Sequence, residues 1–105
     1  MRKNSERPKK DSLPGKAEYI LRLFVAGASP NSVRAITNLK NICETHLLGR
    51  YDLEIIDVHQ QPAVAKEEQI IALPLLIKKA PLPLRKLIGD LSDTNKVLRA
   101  LSLSA

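Results

Sequence analysis

Reactive side chains are scarce in this sequence. Its 105 residues include one cysteine, two histidines, one phenylalanine, two tyrosines and no tryptophan. A single cysteine cannot close an internal disulfide, which fits a reducing compartment, the cytoplasm. Tyr19, Phe24 and Tyr51 are the only aromatic residues, too few to stack bases, so no specific nucleic-acid partner is expected. No apolar run approaches the ~20 residues of a membrane span, and no apolar stretch of secretory type follows the basic N-terminus. No GxGxxG, Walker loop or nucleophile elbow occurs, so neither a cofactor nor a metal is expected.

What is present is charge, unevenly placed, and a modest supply of core residues. The formal charge is +6 and 44% of the residues are hydrophobic. Residues 1–16 carry Arg2, Lys3, Arg7, Lys9, Lys10 and Lys16 against Glu6 and Asp11, while the rest holds 11 basic and 9 acidic residues. The stretch "PKKDSLPGK" has the prolines, glycine and charges of a linker. The composition predicts a disordered basic tail over 1–16 and one folded domain over 17–105.

"EYILRLFVAG" places Tyr19, Leu21, Leu23 and Val25 on one face and Ile20, Phe24 and Ala26 on the other, the mark of a central strand. Gly27 ends it, Ser29 can cap a helix, and Pro30 suits the first helical position. Val33, Ile36, Leu39, Ile42, Cys43 and Leu47 form an apolar helical stripe, and Gly49 is placed to stop it. "YDLEIIDVH" is a second strand, parallel to the first across a right-handed crossover. A short helix is predicted over 62–71, then a strand after Pro74, then "PLPLRKLIGD", and a last helix capped by Ser92 or Asp93. The order is β-α-β-α-β-β-α. Two late segments fit either period. Leu84, Leu87, Ile88 and Leu91 suit a helix while "LRKLI" suits a strand; Val97, Leu98 and Leu101 suit a helix while "ALSLSA" alternates as a strand.

Each candidate reagent stands alone. Cys43 lies on the apolar stripe of the first helix, where a thiol is usually a small hydrophobe. His46, three residues on, lacks the further ligands a zinc site needs. His59 falls at a strand end, and Glu67 and Glu68 are adjacent on a helix and so diverge. Asp57, near the C-terminal end of the second strand, is assigned to packing or helix capping.

The corner "VAGASPNSVRA" followed by a strand opening "LPLL" resembles the thioredoxin fold, with Ala28, Ser29, Pro30 and Asn31 where that fold begins its Cys-x-x-Cys helix. Without the thiol there is no exchange chemistry. More specifically, "LRLFVAGASPNSVRA", "IDV..QPAVAKEE" and "LPLLIKKAPLPLRKLIGDLSD" together resemble the KaiB family from about Tyr19 to Leu101. The resemblance implies a thioredoxin-like non-enzyme that binds the ring-shaped ATPase KaiC and competes with the sensor kinase SasA. It also implies two interconverting folds, a tetrameric ground state and a monomeric thioredoxin-like state, differing in the second half. A homo-oligomer, dimer or tetramer, is therefore expected. Against the cyanobacterial pattern, lysines are replaced by Glu54 and Gln69, a threonine by Leu73, and a Gly and an Asp by Ala100 and Ser102. The last two changes favour helix at the end of the chain. The expected surface contacts for a partner are Arg34, Glu54, Gln69, Lys78, Lys79, Arg85 and Lys86. The competing readings are a SasA-like sensor or adaptor module with a different partner, and a thiol-dependent redox enzyme built on Cys43.

Overall fold

The computed structural model describes residues 17–70 and 72–103; the basic segment 1–16 lies outside them. Apolar side chains on both faces of residues 19–25 produce the strand that organises the sheet. This strand, β1 (Tyr19–Val25), leads into α1 (Pro30–His46), β2 (Tyr51–Asp57), α2 (Pro62–Glu67), β3 (Leu75–Ala80), β4 (Arg85–Ile88) and α3 (Thr94–Ala100). The order is the one read from the sequence. The sheet order is β2-β1-β3-β4, with β1 parallel to β2 and antiparallel to β3, and β4 antiparallel to β3. Strands β2, β1 and β4 therefore point the same way, and β2 and β4 are the two edges. No helix among the described residues is long and apolar enough to cross a membrane.

The two faces of β1 sort the core into two clusters. Tyr19, Leu21, Leu23 and Val25 pack with Ala35, Leu39, Ile42, Cys43 and Leu47 from α1 and its end, and with Val97, Leu98 and Leu101 from α3 and its end. Phe24 on the other face packs with Ile56, Leu75 and Ile77 beneath Val64 and Ile70. Full burial of a residue such as Phe24 is worth about 1.5–3 kcal/mol, so both faces contribute to stability.

Helix α1 starts as expected: the Ser29 hydroxyl accepts from Ser32 N and Pro30 opens the helix. The buried stripe is rotated from the expected one. Ser32 and Ala35 are buried, whereas Val33 is 49% exposed. The hydroxyl of Ser32 explains the rotation. It accepts a hydrogen bond from Ala26 N at 3.0 Å and lies 2.8 Å from the Ser29 hydroxyl, so its burial satisfies a backbone donor at the strand end.

Both ambiguous segments are resolved, the first as strand and the second as helix. Leu87 of β4 packs on the larger cluster and pairs with Leu76. Asp93, not Ser92, caps α3, its carboxylate accepting from Lys96 N at 3.1 Å.

Helix α2 is shorter than the expected 62–71, because Gln69 turns left-handed at φ 56°. Gln69 N donates to Lys66 O at 3.1 Å and Ile70 N to Ala65 O at 2.9 Å, the bond pair of a Schellman stop. In a continued helix Ile70 would lie about 240° around from Val64; the stop lets both reach the same cluster. Helix α3 ends the same way. Ser102 has φ 64°, donates to Arg99 O at 3.0 Å, and is followed by Leu103 N donating to Leu98 O at 2.7 Å. Ser102 thus stands at the position just past the cap of α3, beside the negative end of the helix, as the sequence reading places it.

These two stops make a contrasting prediction. Gln69→Gly relieves a left-handed side chain and should raise unfolding free energy by about 0.5–1 kcal/mol. Ser102→Gly gains the same relief but loses the hydroxyl that Lys78 Nζ bonds at 3.1 Å, and should lower stability by about 1 kcal/mol. Urea unfolding of the two variants checks both signs.

Candidate protein-binding surface

The corner after β1 is closed by its own hydrogen bonds. Gly27 sits at φ 59°, a conformation that glycine adopts without steric cost. Its N–H donates to Asp57 Oδ1 at 3.0 Å, and the same oxygen accepts from His59 N at 2.9 Å. Asp57 thus ties the end of β2 to the end of β1. The Leu73–Pro74 peptide is cis, and Pro74 O accepts from Gly89 N at 3.0 Å. The corner residues Ala28, Ser29, Pro30 and Asn31 offer no thiol. Cys43 is fully buried in the larger cluster, and burial, with Glu44 adding repulsion, pushes its thiol up to about 12. It is therefore held as the unreactive thiol rather than the thiolate that exchange requires.

The seven residues expected to meet a partner fall into different settings. Arg34, on α1, reaches Asp90 Oδ2 at 3.2 Å and bonds Asn31; Asn38 Nδ2 adds a bond to Asp90 O at 2.9 Å. The Ser92 hydroxyl, then its backbone N–H and the Arg34 guanidinium, hold the Asp90 carboxyl below its ordinary range. Arg34 therefore fastens the loop between β4 and α3 to α1. Glu54 of β2 pairs with Arg22 at 3.4 Å, Arg22 with Glu68 at 3.6 Å, and Glu68 with Lys79 at 3.3 Å. Glu54 and Lys79 are thus the two ends of one charge network on the α2 side of the sheet.

Lys78 contradicts the expectation of a surface contact. It is 1% exposed, on the larger cluster's side of β3 opposite Leu21, and its ammonium donates to Ser102 Oγ. Burial, with Arg85 adding repulsion, lowers its proton affinity. The alternation of β3 leaves position 78 no outward direction, and the C-terminal turn covers it.

Arg85 and Lys86 are exposed on the edge strand β4 and enter no ion pair among the described residues. Lys86 and Gln69 line one groove of about 320 Å³ with Leu75, Ile88 and Lys96. Leu84 and Ile88 stand out beside them at 48% and 57% exposure. Lys86 and Lys96, unpaired among the described residues, stand beside these exposed aliphatic side chains, with Arg85 on the other face of the same edge strand, a surface suited to an acidic protein partner with an apolar centre. Sequence reading missed Lys96, whose place over β4 depends on the packing of α3. It also missed Arg22 and Glu68, which bind the called charges to one another. The spacing of Arg22 and Glu54 gives no hint of their pairing until the parallel register sets them side by side.

The comparisons agree with this architecture. The family model for the KaiB domain matches residues 22–103. The circadian clock oscillator protein KaiB of Picosynechococcus sp. is 56% identical over 88 residues, covering 84% of this chain and 85% of that protein. The same protein of Synechococcus elongatus is 55% identical over 85 residues, covering 81% and 83%. Among solved structures, the N-terminal domain of Synechococcus elongatus SasA superposes with a TM-score of 0.65 at 28% identity, covering 82% of this chain and 85% of that one. Mitochondrial thioredoxin 3 of Saccharomyces cerevisiae gives 0.67 at 19% identity, covering 84% and 81%, a likeness of fold. A thioredoxin-like sheet, a corner without a thiol and a match running through nearly every described element place this chain in the KaiB family.

Proposed function

We propose that the protein is a non-catalytic clock-type regulator of the cytoplasm that works by docking on a KaiC-type ATPase. The observation that carries this reading is the groove where Lys86 and Lys96, without an ion pair among the described residues, stand with Ile88 and Gln69, while Arg85 adds a further cation on the other face of β4. The relatives are named as circadian clock oscillator proteins, and a regulator of that kind needs a surface rather than a reaction centre.

The charge network narrows where the partner sits. Glu54 is matched within the chain by Arg22, and Lys79 by Glu68, so neither needs a partner to neutralise it. Arg85 and Lys86 do. The docking face is centred on β4 and the groove, with Arg34 holding the neighbouring loop in place. The exchange of helix and strand that the family resemblance implies would remake this same face, since β4 and α3 build it. A second reading, a SasA-like adaptor that meets a histidine kinase or another partner, is favoured by the similarity to the SasA domain. It uses the same β4 face and differs in the partner captured.

Binding to the KaiC-type ATPase of the same cell, measured by interferometry with and without ATP, should give a complex with the unmodified protein. Arg85→Glu with Lys86→Glu should weaken it at least about tenfold, because like charge replaces attraction at the contact. Glu54→Gln should change it less than about threefold. No complex at tens of micromolar, with retained binding to a histidine kinase, would move the assignment to the second reading. Insulin reduction by the purified protein should stay at background, and thiol-dependent turnover lost in Cys43→Ala would overturn the non-catalytic assignment.

A further inference from the structure

Residues 1–16 hold six basic and two acidic side chains, and the two edges of the sheet would receive them differently. On β4, Arg85 and Lys86 are exposed. On β2, Asp52 and Glu54 are exposed on the α2 side, and the Glu54 side chain remains 58% exposed despite its pairing with Arg22. On the α1 side, the half-buried Leu53 and Ile55 floor a groove of about 450 Å³ with Tyr51, Glu44 and Lys40. The Tyr51 hydroxyl donates to Glu44 Oε2 at 2.5 Å. Arg22 is shared between Glu54 and Glu68, and Arg50 is held by Glu18 at 2.7 Å. The carboxylates of Glu44, Asp52 and Glu54 thus stand at the β2 edge against Lys40 and a shared Arg22.

We propose that residues 9–16 of the same chain fold back over the β2 edge, with Lys9 and Lys10 against these carboxylates and Leu13 in the groove. The composition of the segment alone predicts disorder; the surface it meets gives it a place. Leu13-Pro14-Gly15-Lys16 has Pro and Gly at the two central positions of a type II turn, which reverses the chain just before β1. Reach is sufficient. Tyr51, at the start of the groove, is the register partner of Tyr19. Leu13 lies four residues before Ala17 and can extend at most about 14 Å from it, and Lys9, eight residues before, about 29 Å. Reach does not choose between the edges, because β4 is two strand spacings from β1, about 10 Å. Charge does. On β4 the two lysines would face Arg85 and Lys86; on β2 they face carboxylates. Leu13 is also the only leucine, isoleucine, valine or aromatic residue in 1–16, so a single apolar side chain is available for the groove. Pro8 and Pro14 interrupt any long ladder with β2, and the hold is through side chains. The tether sets an effective concentration of about millimolar, so weak contacts suffice. A strand edge covered by a charged segment of its own chain is shielded from pairing with other chains, which leaves β4 as the open edge. The inference does not depend on which partner β4 receives.

Two measurements on the full chain in dilute solution test this. In NMR relaxation at about 50 mM salt, the Ser12 and Leu13 amides should be as ordered as those of β2, and they should lose that order at about 500 mM. The variant K9E/K10E should free both amides at low salt and shift the signals of Asp52, Leu53 and Glu54 while leaving those of Arg85 and Lys86 in place. Adding D52K/E54K to it should restore the order, because the charges are again opposite. Circular dichroism verifies folding. Carbodiimide coupling of the unmodified chain needs no variant. It should join Lys9 or Lys10 to Glu44, Asp52 or Glu54 and not to Glu67, Asp90 or Asp93, with a yield that falls at least about threefold between low and high salt. Ser12 and Leu13 amides as mobile as those of a free peptide at low salt, a folded charge-swapped variant without recovery, or coupling that is indifferent to salt or spread evenly over the carboxylates would each overturn the proposal.

Discussion

Strand β1 is covered on both faces and hydrogen-bonded along both sides, and the other elements take their positions from it. Leu23 and Phe24 are adjacent, both fully buried, and belong to different clusters. Because one face must be shielded by α1 and α3 and the other by α2, the helices are distributed about the sheet before any detail of their packing is considered. Because β2 and β3 flank β1, the sheet can end only at β2 and β4. The exposed edges, and with them every surface discussed above, are a consequence of where β1 lies.

The end of β1 is also where a thiol would begin the helix in a redox protein of this architecture, and here Ala28, Ser29, Pro30 and Asn31 stand in that place. The backbone there needs its donors satisfied, and Asp57 and Ser32 do this from inside the chain. Asp57 has one oxygen accepting two backbone N–H groups and so serves as a clasp between strand ends. The remaining thiol is a helix residue whose burial holds the proton on sulfur. With the corner closed and the cysteine buried, neither presents a thiolate to the surface.

The first half of the fold is legible in the sequence because each element satisfies a single period. The strand with two apolar faces, the Ser-Pro helix start and the parallel crossover all follow from residues 17–57. The errors there are local. Val33 was assigned inward because it is apolar, but the serine before it had a backbone donor to satisfy. The length of α2 was missed because a left-handed glutamine is not a usual stop, and the gain that supports it, Ile70 reaching the Phe24 cluster, is tertiary. In the second half, "LRKLI" is too short to favour one period, and pairing with Leu75–Lys78 decides it. The candidate surface was legible only as composition. Arg85 and Lys86 were visible as basic residues, but their joining with Lys96 and Gln69 in one groove depends on the fold. Lys78 was misplaced because a lysine in a polar stretch reads as exposed, and its partner Ser102 lies 24 residues further on.

The difference between the halves is also energetic. β1, α1 and β2 are fixed by two-sided burial, whereas β4 contributes to the core through the half-buried Leu87 and exposes Arg85, Lys86 and Ile88. Helix α3 is seven residues long and closes on a serine in the left-handed region. The same serine is the acceptor for an ammonium group taken out of water, and burying a charge against a neutral hydroxyl recovers only part of its hydration. Strain at the stop and desolvation at Lys78 thus oppose the arrangement that Val97, Leu98 and Leu101 favour by burial. The periods of the sequence conflict in this region because the residues that bury α3 could also alternate along a strand.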